Sequence, residues 1–578
     1  MITRMTKYSF ILLNGVKDEF LEHLQDLGVV DITRSTKPVD AHSEELLAAI
    51  EQARNDIRII KTGSDSHLED LVGKRNSLVK MSEEIAPWGD FDKSKAEELS
   101  LAGLQMHFYC ILKKRFNEQW AVDYPLEIIC DEGKKVHFVI VGDDYKTFPL
   151  PETGSPKATV KELAEQIKSV DKEIERYRKV LADKSAEIPA LESRIGDLSD
   201  ELSLCLAAAA GASAVEDTLT VFEGFAPTED DDRLAQAFDA MDVLWISEAA
   251  KVEDNPPIKL KNDRFASKFE VLTDMYGRPA YDGFDPTPFI AVFFLLFFAM
   301  CIGDMGYGLI LVIVGLFLKK VRSFASLSPL VVYLGLGTVV VGFFFHTFFS
   351  IDFSTWECVP EGLKKIMVPA KVAGYDGTMV LALAVGVIHL LLAMIVKTIY
   401  ATKNKGFLNS LSTWGWTLFW TGLTVIGIIS LAGVIDKSVT KWAIIILGIV
   451  CAIGIFPLNN IHRNPLVNVG SGLWDTYNMA TGILGDILSY LRLYALGLAG
   501  AMLGFAFNDL ARMALGDGGA RWIAFILIVV IGHTLNIAMA ALGAFVHPLR
   551  LNFLEFFKNS DYEGVGVHYN PLKKNNNK

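Results

Sequence analysis

Cysteine is scarce, six in 578 residues, and Cys110, Cys130, Cys205, Cys301, Cys358 and Cys451 form no CxxC pair and have no histidine at ligand spacing. That excludes a disulfide scaffold and a cysteine-ligated metal site, and the six read as free thiols. A GxxxxGK[ST] loop is also missing. Gly73-Lys74-Arg75 lacks the upstream glycine and the hydroxyl that would cradle a phosphate. The chain alone is therefore expected not to hydrolyse ATP, to be no enzyme in isolation, and to hold no metal or cofactor. Basic residues are outnumbered, 55 against 68 acidic for a net charge of −13, which argues against a nucleic-acid partner. The apolar run Tyr8-Ser-Phe-Ile-Leu-Leu13 is too short for a signal-peptide core. It reads as a strand, and the first half of the chain is expected in the cytoplasm.

Apolar residues make up 51% of the chain, with a mean hydropathy of +0.30, but they are unevenly spread. Up to about Gly283 the sequence is polar and charge-rich. From Pro286 to about Phe557 it is a series of long apolar runs. Runs of about 18 or more such residues read as membrane spans, so a soluble half (1–285) precedes a polytopic membrane half (286–560) and a short tail (561–578).

In the soluble half, Val160, Leu163, Ile167, Val170, Ile174, Tyr177, Leu181, Lys184, Ile188, Leu191, Ile195, Leu198, Leu202 and Cys205 recur at steps of three and four. Such heptad spacing predicts a coiled-coil helix, roughly 70 Å long, interrupted in its apolar set only by Lys184 and kinked at Pro189. A weaker pattern, Leu46, Ile50, Ala53, Ile57, Ile60, Leu71, Leu78 and Ile85, supplies a partner. The expectation is an α/β dumbbell. Its antiparallel coiled-coil hairpin has arms at 40–87 and 157–206. A proximal lobe comes from 1–38 and 215–270, and a distal lobe of strands from 88–155. A coiled-coil dimer between two chains is the alternative reading of the heptads.

The membrane half is α-helical, with about eight expected spans: 287–303, 305–319, 328–350, 378–399, 409–433, 441–457, 475–510 and 520–557. The first two are joined by Gly303-Asp-Met-Gly-Tyr-Gly308. The last two exceed a bilayer's needs, so they tilt or project. Lys319, Lys320 and Arg322, then Lys397, Lys403 and Lys405, then Arg463, then Lys573 and Lys574 make alternate loops basic, which places both termini in the cytoplasm.

Ionisable side chains inside apolar spans are expensive and point to function. Arg492 lies mid-span, sharing a face with Gly485, Leu488, Ser489, Ala495, Leu496 and Ala499. Small neighbours let another helix approach closely. The eighth span carries His533, Asn536, Ala540, Gly543, His547 and Arg550 at three-four spacing, which reads as a hydrated path. Asp304, His346, His389, Asp475 and Asp486 lie in or near spans.

The runs Ser489-Tyr-Leu-Arg-Leu-Tyr-Ala-Leu496 and His547-Pro-Leu-Arg-Leu-Asn-Phe-Leu-Glu-Phe-Phe557 resemble signatures of the membrane stator subunit of V-type and archaeal-type rotary ATPases, subunit a or subunit I. The Gly303-Asp304 hairpin, the strand ending Gly224-Phe-Ala-Pro227 and the order of segments fit as well. The compact size is more like the bacterial and archaeal forms. The resemblance implies half-channels facing a rotating proteolipid ring whose subunits each bear a carboxylate. Arg492 would meet each carboxylate, with Arg550 beside it and Ser489, Asp486, His533, Asn536, His547 and Asp304 as half-channel candidates. It also implies peripheral-stalk subunits (E/G type) and a central-stalk cap subunit (d/C type) as partners, a plasma-membrane location, and transport of protons or sodium. The sequence departs from the eukaryotic pattern at Ala540, Gly500, Asn478 and Pro548, where a glutamate, a histidine, an acid and a small hydroxyl residue are expected. The competing reading is a secondary transporter with a cytoplasmic regulatory domain, for which no inverted repeat is evident.

Overall fold

The computed structural model describes every residue except 36, 39, 64, 90–97, 133, 143–147, 154–157, 215–217, 242, 322–323, 356–359, 365, 370, 373, 432, 434, 457–464, 515–518 and 575–578. Cys358 and the loop cations Arg322 and Arg463 lie outside the described residues. The other five cysteines are free thiols. The chain divides into two compact units.

One unit comprises Asn14–Gly28, Thr33–Ala212 and Leu572–Lys578. Helix α1 (Lys17–Leu27) packs on the second arm of a helical hairpin. The first arm is α2 (Ala41–Thr62) and α3 (Ser66–Ile85); the second is α4 (Val160–Asp183) and α5 (Ile188–Ala210). Helix α2 packs on α5 and α3 on α4, burying Leu46, Ile50, Ala53, Ile57, Leu71, Leu163, Val170, Ile174 and Leu181. Between the arms, β3 (Met106–Leu112), β4 (Leu126–Glu132) and β5 (Lys135–Val141) form an antiparallel sheet in the order β3-β5-β4 around Tyr109, Phe138, Ile140 and Phe148.

The second arm breaks earlier than Pro189, in a 3₁₀ turn at Lys184–Glu187, and Pro189 falls in the first turn of α5. A proline ring clashes with the carbonyl four residues back inside a helix but is well placed at a helix start. The first arm breaks at Gly63, which ends α2 in the left-handed region at φ 62°, and Asp65 then caps α3 by accepting from Leu68 N at 2.8 Å. Tyr177 donates to the same carboxylate across the arms, and Lys61 pairs with Glu192 at 3.2 Å. Both arms are therefore interrupted at one level, with polar contacts bridging the seam there.

The Tyr177 hydroxyl, and behind it the Leu68 amide, hold the Asp65 carboxyl below the usual carboxylate range. A value depressed by folding gives stability that is full above the unfolded pKa, about 4, and fades as pH falls through the lower folded value. Asp65→Ala is expected to cost α3 about 1 kcal/mol. This should be read as faster hydrogen exchange at Leu68 and its neighbours, with a wild-type advantage that shrinks on acidification.

The other unit comprises Met1–Leu13, Val29–Ile32 and Ser213–Pro571. Strands β1 (Met5–Leu13), β2 (Asp31–Ile32), β7 (Leu219–Pro227) and β8 (Leu244–Ala249), with the short β6 (Ala212–Ala214) between β2 and β7 in the chain, include an antiparallel run ordered β2-β7-β1-β8. Alternation along β1 sends Tyr8, Phe10 and Leu12 inward, where Tyr8 and Phe10 meet Phe238 of α6 (Asp231–Asp239) edge-on at 5.4 and 5.0 Å.

The rest of this unit is helical: α7 (Thr287–Ile302), α8 (Met305–Leu318), α9 (Ser328–Phe344), α10 (Gly377–Lys405), α11 (Leu411–Leu431), α12 (Lys437–Ile455), α13 (Pro465–Ser489), α14 (Leu491–Ala514) and α15 (Gly519–Arg550). A π-helical turn at Leu551–Phe556 and α16 (Phe557–Ser560) follow. Among the described residues, four stretches are long and apolar enough to cross a membrane: Gly377–Asn404, Ser438–Ile455, Val467–Ala514 and Arg521–Ser560. Helices α7 to α9 are apolar but shorter, 16, 14 and 17 residues. Helix α7 is apolar all round, as befits a bundle centre. It packs on α9, α14 and α15 with Phe294 and Phe297 fully buried.

Candidate functional site

Arg492 follows a break in the longest apolar stretch. Tyr490 is the single non-helical residue between α13 and α14, and it is fully buried. Its ring lies where a Cβ on Gly386 would stand, so only glycine admits it there. The Tyr490 hydroxyl meets His389 Nδ1 at 2.9 Å, and the His389 ring is packed by Phe293, Phe297 and Phe556. The break is thus pinned from three sides, and the chain restarts with Arg492 half-buried and its Nη1 without a hydrogen-bond partner among the described residues. Arg550 is exposed at the end of α15, and both guanidiniums lie within electrostatic range of half-buried His547. Around them α13 to α15 present an apolar surface: Leu488, Leu498, Met502, Leu535, Met539 and Leu542 are 40–68% exposed. An uncovered patch of this kind marks contact with lipid or a partner.

The other predicted residues separate into two polar clusters. In the first, His533 Nδ1 lies 2.7 Å from the Tyr307 hydroxyl and its Nε2 3.0 Å from Asn508 Oδ1. Asn536 Nδ2 donates to the Tyr307 hydroxyl at 2.8 Å and to the Gly500 carbonyl at 2.9 Å. Gly500 therefore contributes its carbonyl at the position where the eukaryotic pattern has a histidine. Gly504 leaves the space that Ser350 and Asn536 occupy. Tyr307, His533 and Asn536 are all buried. Tyr307 and Asn508 were not picked out as candidates from the sequence, although Tyr307 sits inside the Gly303–Gly308 run.

Asp304 does not line this cluster with a free carboxylate. It caps α8, accepting from Gly306 N at 2.8 Å and Tyr307 N at 3.1 Å, and also binds Phe349 N at 3.0 Å and Ser350 N at 2.6 Å. Four backbone donors occupy it, which makes it an anchor for the 345–350 loop.

The second cluster lies on the other side of Arg492. Asp486 takes Lys558 Nζ at 3.3 Å and Asn559 Nδ2 at 2.8 Å. Ser489, the last residue of α13, donates to Gly485 O at 3.2 Å and lies beside Glu555. Asn508 is 16 residues beyond Arg492, and Asp486 six residues before it. At 1.5 Å per helical residue the first offset is about 24 Å along α14, and the second spans the break at Tyr490. Two polar patches thus flank Arg492, whose Nη1 has no partner among the described residues, and are separated from each other by apolar helix.

Residues 133–356 match the V-type ATPase 116kDa subunit family. The chain is 24% identical over 619 residues to the V-type ATP synthase subunit I of Borreliella burgdorferi, covering 99% of this chain and 100% of that one. It is 30% identical over 465 residues to the A-type ATP synthase subunit I of Pyrococcus horikoshii, covering 76% and 67%. Against the A-type ATP synthase subunit I of Methanocaldococcus jannaschii it is 28% identical over 467 residues, covering 73% and 64%.

Proposed function

This chain belongs to the subunit I family of V/A-type ATP synthases, the non-catalytic membrane subunit of a rotary complex, and we propose that it forms the stationary ion path of that complex. The observation that carries the proposal is Arg492, its Nη1 without a hydrogen-bond partner among the described residues, on an apolar helical surface with a polar cluster to either side. The uncovered face of α13 to α15 is where a ring of carboxylate-bearing helices docks. A carboxylate in lipid stays neutral, protonated or ion-loaded, because its charge is costly there. Passing a fixed guanidinium favours the ionised form and expels the cargo. The same positive charge blocks a direct leak from one cluster to the other. Tyr307, His533, Asn508 and Asn536 serve one half-channel; Asp486 and Ser489 serve the other.

About eight apolar helices, α7 to α12, the α13–α14 pair and α15, cross or enter the bilayer. Lys319 and Lys320, Lys397 and Lys403, and Lys573 and Lys574 lie on the cytoplasmic side of a plasma membrane, with both termini. The soluble region is then cytoplasmic, and its coiled-coil hairpin takes the torque through peripheral-stalk subunits, with a central-stalk cap subunit as a further neighbour.

Tyr307→Phe deletes the hydroxyl that His533 and Asn536 share, and His533→Ala deletes its partner. Each is expected to lower ATP-driven transport by the intact complex at least tenfold in sealed vesicles, with subunit composition unchanged. Wild-type transport by both variants would mean that this cluster only braces the helices.

A further inference from the structure

Glu555 interrupts the apolar run Phe553-Leu-Glu-Phe-Phe557, and the functional reading above gives it no task. It is 4% exposed, and its Oε2 has no hydrogen-bond partner among the described residues. Native structures leave few buried acceptors unsatisfied, and each calls for an explanation.

Its position supplies one. Pro548 lies inside α15, and the helix loosens into a π turn at Leu551–Phe556 directly after Arg550. Such turns add a residue, re-aim the side chains they carry and cluster at functional sites. Here the turn brings Glu555 beside Ser489, with Asp486 and Arg550 in electrostatic range. Tyr490 faces it as well, and His389 stacks on the adjoining Phe556 at 4.8 Å. On the other side Asn559 Nδ2 links the Glu555 carbonyl, at 2.7 Å, to Asp486 Oδ2, at 2.8 Å. Asn559 and Lys558 also line a cavity of about 340 Å³ with Lys397, Asp475 and Asn478. The Glu555 backbone is thus hydrogen-bonded to a residue that lines this cavity, and its carboxylate lies within electrostatic range of Arg550.

We propose that Glu555 is a proton-exchange carboxylate between that cavity and the ring. The inference rests on the stator reading. A ring carboxylic acid nearing Arg492 gives its O–H proton to the Glu555 carboxylate. The ring is left with a carboxylate paired to the guanidinium, and Glu555 becomes neutral. Glu555 then passes the proton to water in the cavity and is a carboxylate again; the reverse sequence loads the ring. One free oxygen is enough to receive a proton.

The test uses the complete complex in sealed vesicles, comparing Glu555→Gln, Glu555→Asp and Arg492→Gln. Glutamine keeps the shape but cannot carry a proton. Expected for Glu555→Gln is at least a tenfold loss of ATP-driven acidification with unchanged subunit composition. Glu555→Asp should keep a third or more of the activity, with its pH profile displaced. Normal acidification by Glu555→Gln would overturn the assignment, as would equal loss and poor assembly in both Glu555 variants. A wild-type complex whose ATPase requires sodium and acidifies nothing would overturn it as well. If Arg492→Gln still pumps, the stator reading itself fails; if it is inactive while Glu555→Gln pumps normally, only the Glu555 assignment fails.

Discussion

Arg492→Gln is expected to abolish ATP-driven transport while the complex assembles normally. Glutamine can still donate hydrogen bonds, so what it removes is charge. Two unit charges about 4 Å apart interact by about 4 kcal/mol at the effective dielectric that suits protein sites. That is about three pH units on the partner's titration. A ring carboxylate passing glutamine lacks this help, keeps its ion and carries it round without net transfer. The side chain's surroundings do not depend on the charge. Tyr490, held by His389 and accommodated by Gly386, fixes the break before residue 492, and Arg492 Nη1 has no partner to lose among the described residues. Loss of transport should therefore come without loss of yield. Arg492→Ala should behave likewise. The measurement is ion uptake per assembled complex in sealed vesicles. Uptake by either variant at the wild-type rate would remove the guanidinium from the mechanism.

The features legible in the sequence were those written as periodicity. Leu163, Val170, Ile174 and Leu181 repeat at heptad spacing and are buried where the arms pair. His533 and Asn536 share a helix face and meet the same hydroxyl. What stayed hidden depends on chain crossings that no spacing encodes. Tyr307 precedes His533 by 226 residues, and His389 precedes Tyr490 by 101. The arm break was read one turn late because Pro189 draws attention to itself, whereas the backbone rearranges ahead of it, at Lys184–Glu187. Glu555 was visible as a lone acid among phenylalanines, but its orientation follows from a π turn. Asp304 is a case where the sequence shows one half only: an acid between two apolar helices suggests ion chemistry, and the structure adds four amides converging on it.

For that reason Asp304→Ala is expected to damage folding more than transport. The substitution strands four backbone N–H groups, those of Gly306, Tyr307, Phe349 and Ser350. Hydrogen bonds to a charged group contribute about 1.5–3 kcal/mol each, and unsatisfied buried donors add a desolvation penalty. Even after partial relaxation the cost should exceed about 4 kcal/mol, in the range reserved for breaking a buried network. The loop adds to the cost, since Phe349 and Ser350 sit at φ 49° and 59°, a conformation that non-glycine residues hold only when surrounding contacts enforce it. Asp304→Asn separates this role from ion conduction. Its remaining Oδ1 can still accept from Gly306, Tyr307 and Phe349, and only the bond to Ser350 N turns into two opposed donors. The alanine variant should show a steep drop in assembled complex and in thermal midpoint. The asparagine variant should assemble, unfold at a modestly lower temperature and transport at more than half the wild-type rate per complex. If instead asparagine assembles fully but transports nothing, the carboxylate's charge is part of the ion path and its capping role is secondary.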